Sequence, residues 1–231
     1  MIRRLAATAA ASLAACGAHA AGTLLSEGFE DVAGLAAAGW VQSNLSNPVG
    51  LPWGQGFVGP FAAQAGTANS YAVANFESAA FGSGGVVDNW LITPVLSFNA
   101  SNTVTFWTRT IFNPSIFPDR LEVRLSLSTG SDTSTFTTLL ASVNPDLTQT
   151  GYPGEWTQYT VTFAGTPPVF GPDAYARGRL AFRYTVPSNF NADFIGLDSV
   201  TVTAVPEPRS AVLMLAGLGA LLCVRRRARS S

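Results

Sequence analysis

Residues 120–128 read Arg-Leu-Glu-Val-Arg-Leu-Ser-Leu-Ser, with polar and apolar side chains alternating without a break. Successive side chains of an extended chain point to opposite sides, so a period of two marks a strand with one face buried and the other wet. Residues 103–108, Thr-Val-Thr-Phe-Trp-Thr, form a second such stretch, rich in the β-branched and aromatic types that suit a pleated surface. Similar stretches occupy 70–76, 90–98, 156–163, 179–186 and 194–202. Turn formers separate them: Phe81-Gly82-Ser83-Gly84-Gly85, Phe117-Pro118-Asp119, Thr129-Gly130-Ser131-Asp132 and Tyr152-Pro153-Gly154. Between residues 23 and 203 no segment keeps an i, i+3, i+4 apolar spacing for three turns. Many short strands joined by Gly/Pro turns predict an all-β fold, an antiparallel β-sandwich, in one domain spanning 21–204.

Residues 44–66, NLSNPVGLPWGQGFVGPFAAQAG, break the pattern, being too rich in Gly and Pro for a regular strand while carrying Trp53, Phe57 and Phe61. Long irregular segments in compact domains are often functional. Two readings stand: an aromatic platform that stacks on a sugar ring or partner, or a flap whose aromatics close one open end of the sandwich.

The chain of 231 residues has no lysine, and its single histidine is His19. Its two cysteines, Cys16 and Cys223, lie near the two ends, so the body has no disulfide to form. A body without His, Cys or Lys cannot build a Ser-His-Asp triad, a Cys-His dyad, a Schiff base or a histidine-ligated zinc site. Between residues 27 and 207, six arginines face fourteen carboxylates, a balance of −8. That charge repels phosphate backbones and argues against nucleic acid. Paired carboxylates formally leave a glycosidase open. Asp119, Asp132, Asp146 and Asp173, however, sit in turn-like contexts expected to be solvated. The expectation is a protein that is not an enzyme.

Both ends read as targeting segments. Arg3 and Arg4 precede an apolar run over 5–15, and Ala18 and Ala20 are small at the positions a signal peptidase inspects. Residues 1–20 therefore read as a signal peptide cleaved after Ala20. Leu13-Ala14-Ala15-Cys16 offers the alternative of a lipobox with Cys16 acylated. At the other end Val205-Pro206-Glu207-Pro208 precedes an apolar run over 210–224 and then Arg225, Arg226, Arg227 and Arg229. Fifteen residues of helix span about 22 Å against a hydrocarbon core of ~30 Å, short for an anchor. Positive charges resist translocation, so residues 225–231 are expected on the cytoplasmic side and the body on the other.

Glu27, Glu30 and Asp31 cluster at the first strand, LLSEGFEDV, and Asp198 sits in the last, FIGLDSVTV. If those strands are neighbours, Glu30, Asp31 and Asp198 can converge on calcium, a hard cation that takes oxygen ligands. The bland alternative is that Asp31 caps a turn and Asp198 lies at an edge.

The three-part tail over 205–231 resembles the PEP-CTERM sorting signal of Gram-negative bacteria. That resemblance implies recognition by an exosortase, transient anchoring in the inner membrane with the body periplasmic, and a final place at the cell surface or in an exopolysaccharide matrix or biofilm. The body resembles the choice-of-anchor J domain, related to cleaved-adhesin and MAM-like jelly rolls. EGFEDV at 27–32, Gly39-Trp40, NSYAVANF at 69–76, DNWLITPVLSF at 88–98, VTFWTRT at 104–110, DRLEVRLS at 119–126, LAFRY at 180–184 and FIGLDSVTV at 194–202 carry it. The resemblance implies a jelly-roll sandwich for adhesion or glycan contact without catalytic apparatus. Some relatives hold calcium, though they often show an Asp pair where this chain has the single Asp198.

Overall fold

The computed structural model describes residues 22–98, 101–165 and 176–205. The proposed signal segment, with Cys16, Ala18 and Ala20, and the tail from Pro206 onward lie outside them. In chain order the strands are β1 (Gly22–Glu27), β2 (Val41–Asn44), β3 (Gly54–Gln55), β4 (Ala72–Asn75), β5 (Val87–Ile92), β6 (Leu96–Phe98), β7 (Ser101–Thr110), β8 (Leu121–Ser126), β9 (Thr138–Val143), β10 (Thr157–Ala164), β11 (Ala176–Val186) and β12 (Phe194–Val205). The only helical pieces among the described residues are four short 3₁₀ turns. One sheet runs β10-β7-β12-β4-β3 with β1 also on β12, and the other β2-β5-β11-β8-β9 with β6 also on β11. Every pairing is antiparallel.

The sandwich expected from the sequence is present, and the alternation builds it. In β7 the even-numbered residues Val104, Phe106, Thr108 and Thr110 are fully buried, while the odd-numbered ones face outward. From the second sheet Leu121, Val123, Leu180 and Phe182 meet them. Phe106 touches Phe182 edge to face across the layers, ring centres 5.4 Å apart. The pattern predicts one strand over 90–98; Pro94, which has no N–H to donate, separates β5 from β6 instead. The first and last strands are indeed neighbours, Gly22 opposite Ala204 and Glu27 opposite Val200.

Pairing also orients the molecule. Gly22 and Val205 lie at one end, beside Ala204 and Ser101. The segments before β5, after β7 and between β11 and β12 gather at the other.

Asp119, expected in a solvated turn, is instead fully buried just before β8. Its carboxyl accepts the Tyr184 hydroxyl of β11 at 2.6 Å, the backbone N–H of Asp193 at 2.9 Å and the Thr110 hydroxyl of β7 at 3.4 Å. One carboxyl thus ties both sheets. Burial pushes its pKa up to about 7, against the pull of those donors. Burial likewise raises Asp193 to about 6.

In the unfolded chain an aspartate titrates near ~3.9. From there to about 7 the folded protein holds a proton at Asp119 that the unfolded chain has released. The contribution of this group to stability is therefore greatest in acid, falls as pH rises through that window, and levels off above it. At ~1.4 kcal/mol per unit, the gap sets an upper bound of about 4 kcal/mol. The urea midpoint is expected to be higher at pH 5 than at pH 8, and Asp119→Asn should shrink the difference to the part that Asp193 contributes. A wild-type midpoint that climbs over that range would contradict the assignment.

Candidate binding surface

The irregular segment after β3 lies across the outer face of the first sheet. Gly196 of β12 makes this possible: a Cβ there would come within 2.8 Å of both Phe61 and Trp156. With no side chain beneath them, Phe61, Tyr71, Val73 and Phe194 form a second apolar cluster outside the sandwich, with Trp156 against it. The Arg109 guanidinium stands 4.5 Å over the Phe61 ring and reaches Glu155 at 3.4 Å.

Asp198 fastens the same segment. A register shift between Asp198 and Thr201, with Ser199 at φ +49°, bulges β12 against β7. The Asp198 carboxylate, fully buried, accepts backbone N–H groups from Gln64 (2.8 Å), Ala65 (3.2 Å) and Ser199. Burial lifts its pKa above the ordinary carboxylate range, while those N–H donors oppose the rise. Gln55 performs the matching task at the rim. Its Nε2 donates to the carbonyls of Phe29 (2.8 Å) and Asn69 (2.6 Å), and its Oε1 accepts from Val32 N. Nothing in the sequence separates this glutamine from any other loop polar residue.

These contacts correct two expectations. Trp53 is only 2% exposed, sits in the main core and donates from Nε1 to the Asn89 carbonyl, and Phe61 is 7% exposed. Neither ring has a free face for a sugar. Phe57 alone of the three is open, at 51%, set edge-on to Phe194. The segment is a flap, but Phe61 covers a sheet face rather than an open end of the sandwich.

The carboxylates named for calcium do not assemble either. Glu27, Glu30 and Asp31 line a shallow hollow of about 260 Å³ with Gly34, Leu35 and Ala38. Glu27 accepts Phe29 N, and Asp31 accepts the N–H of Gly34 within the 3₁₀ turn Ala33–Ala36. Asp198 is spent on backbone N–H groups, and the nearby carbonyls of Phe29 and Asn69 that a hard cation would want receive the Gln55 amide. Among the described residues no three acidic, histidine or cysteine side chains form a group fit for a metal ion.

On the outer face of the second sheet, charge is consumed internally. Arg183 grips Asp88 through two bonds (2.6 and 3.0 Å), reaches Glu122 at 3.2 Å and lies 4.8 Å over Trp90. Burial raises the Glu122 carboxyl, but Arg124, Arg183 and Arg120 outweigh it and hold the group below its usual range. This lattice leaves Glu122 no role as a proton donor.

Trp53→Ala should cost about 3–5 kcal/mol of unfolding free energy, as core aromatics do, whereas Phe57→Ala should stay within about 0.5 kcal/mol of wild type. Urea titration separates them. EGTA should leave the thermal midpoint where it was, and a rise with millimolar calcium would reinstate the cation.

No family model and no curated protein matches the sequence. Solved structures do. The K1 cleaved adhesin domain of Lys-gingipain from Porphyromonas gingivalis W83 is 26% identical, with a TM-score of 0.55 over 78% of this chain and 97% of that one. The K3 cleaved adhesin domain of the same protein is 24% identical, with a TM-score of 0.54 over 80% of this chain and 99% of that one. The K2 domain has the same fold at 18% identity and a TM-score of 0.53. The described sandwich is thus similar to cleaved adhesin domains over nearly their whole length.

Proposed function

We propose that this chain is an exported, non-enzymatic protein of the cell surface or extracellular matrix that works by contact, with a glycan as its target. The likeness to an adhesin domain at 26% identity over 97% of that domain carries the reading. The chemistry agrees with it. The body has no histidine, lysine or cysteine, and its most perturbed carboxyl, Asp119, is sealed between the sheets rather than facing a cleft.

Delivery rests on the two ends. A signal peptidase acts after Ala20, or Cys16 is acylated, and the body is exported as a choice-of-anchor J-like jelly roll. The tail then holds the protein in the inner membrane through residues 210–224, with the 225–231 arginines cytoplasmic, until an exosortase acts near Pro206-Glu207-Pro208. Release places the body at the surface, in contact with exopolysaccharide.

Replacing Pro206, Glu207 and Pro208 together by alanine should leave the unprocessed chain in the inner membrane. Mass spectrometry of both termini reads the outcome. An unaltered mature mass and location in the triple variant would remove the sorting reading.

A further inference from the structure

We infer that the end of the sandwich remote from the two chain ends is a site for an uncharged polysaccharide, built around the exposed rings of Phe81 and Phe190; this rests on the glycan-contact reading and gives it a place and a ligand class. Three segments interlock there. Residues 45–51 pair with 79–86 through Asn47 opposite Val86 and Val49 opposite Ala79. Residues 188–191 join them through Asn189, whose N–H donates to the Gly85 carbonyl and whose Nδ2 donates to the Ala80 carbonyl at 3.0 Å.

On this scaffold the apolar side chains point outward. Phe81 is 78% exposed and Phe190 65%, and Leu45, Val49, Leu51 and Val86 are open as well. Neither ring dangles. Phe190 lies against Gly84, which has φ +68° and where a Cβ would fall 2.9 Å from the ring. Phe81 leans on Phe76, ring centres 6.0 Å apart. An exposed apolar patch built on so fixed a frame marks an interaction surface.

The chemistry of the surround selects the occupant. The three segments contain neither an arginine nor an acid, and Glu77, two residues before the second of them, accepts from the Asn75 amide. An anionic polymer finds no counter-charge here. A bilayer surface finds no basic residue and no Trp or Tyr to sit at its headgroup level. Gly22 and Val205 lie at the opposite end of the sandwich. What surrounds the rings is neutral and polar: the exposed Asn47, Ser83 and Asn191. Beneath them Asn189, only 4% exposed, has an Oδ1 that meets no donor among the described residues. Flat apolar faces interleaved with amides and hydroxyls suit a neutral sugar, which offers C–H faces to rings and hydroxyls to amides.

The test uses the exported protein as cells process it, titrated with xylan, a soluble β-1,4-glucan, dextran and, as the charged control, alginate. Phe81→Ala/Phe190→Ala should keep the wild-type melting midpoint, since both rings are exposed. It should bind the preferred neutral polysaccharide at least about tenfold more weakly. Binding should change little between low and high salt, because no ion pair contributes. Neutral binding that the double variant leaves intact overturns the tip assignment while the glycan reading stands. Retention of alginate alone, or loss in the double variant only of self-association or vesicle binding, overturns the ligand class. Failure of the wild-type protein to bind any of the four polysaccharides defeats both the inference and the reading beneath it.

Discussion

A single buried carboxyl, that of Asp119, decides how the two layers meet at their loop end. Each sheet could satisfy its own backbone alone, but Thr110 belongs to one sheet, Tyr184 to the other and Asp193 to the link that leads into β12, and all three converge on this group. Around it the interior is polar. The Tyr152 hydroxyl meets the Thr108 hydroxyl at 2.6 Å, and Asn144 donates to the Asp119 carbonyl. Such a network fixes one alignment of the sheets, because slipping either would strand several buried polar groups at once. At the opposite end rings pack across the interface, with Phe98 edge-on to Phe163 at 5.3 Å. The sandwich is held by specificity at one end and by burial at the other.

The outer faces follow a different logic. A sheet with two wet faces buries little, and this protein covers part of each. The first carries the flap after β3, laid over Gly196 and pinned by Asp198. The second carries Phe136, which packs with Trp90 and Ile92 beneath the arginine and carboxylate lattice. The flap uses up Phe61 and Asp198 and the main core takes Trp53, the residues that a reader of the sequence would nominate as functional. Side chains outside both coverings, Phe81 and Phe190, are left to meet other molecules.

The strands were legible because period two is a local property, and β7, β8 and β11 show it plainly. Short strands were not. Thr138–Val143 and Val41–Asn44 have weak alternation, and β3 is a two-residue pairing that only the partner strand defines. Residue fates were harder, since burial depends on what lies across the layer. Asp119 in Phe117-Pro118-Asp119 reads as part of a solvated turn, yet the chain there is irregular and brings the carboxyl inward to the Tyr184 hydroxyl. Trp53 and Phe81 both stand beside glycines, and only the fold separates the ring in the core from the ring at the tip. One hint was present: in Phe81-Gly82-Ser83-Gly84-Gly85 the neighbours have almost no side chain to bury a phenylalanine.

The geometry of β12 bears on how the molecule responds to force. The strand runs the length of its sheet, with β7 along one side and β4 and then β1 along the other. Its C-terminal end is where the chain leaves the sandwich, and its N-terminal end adjoins the loops of the tip. A load applied between a tethered tail and a held tip therefore runs along the strand, across ladder bonds that lie perpendicular to it. Those bonds share the tension in shear instead of parting one by one. The central placement of the last strand makes this sandwich a strut suited to being pulled.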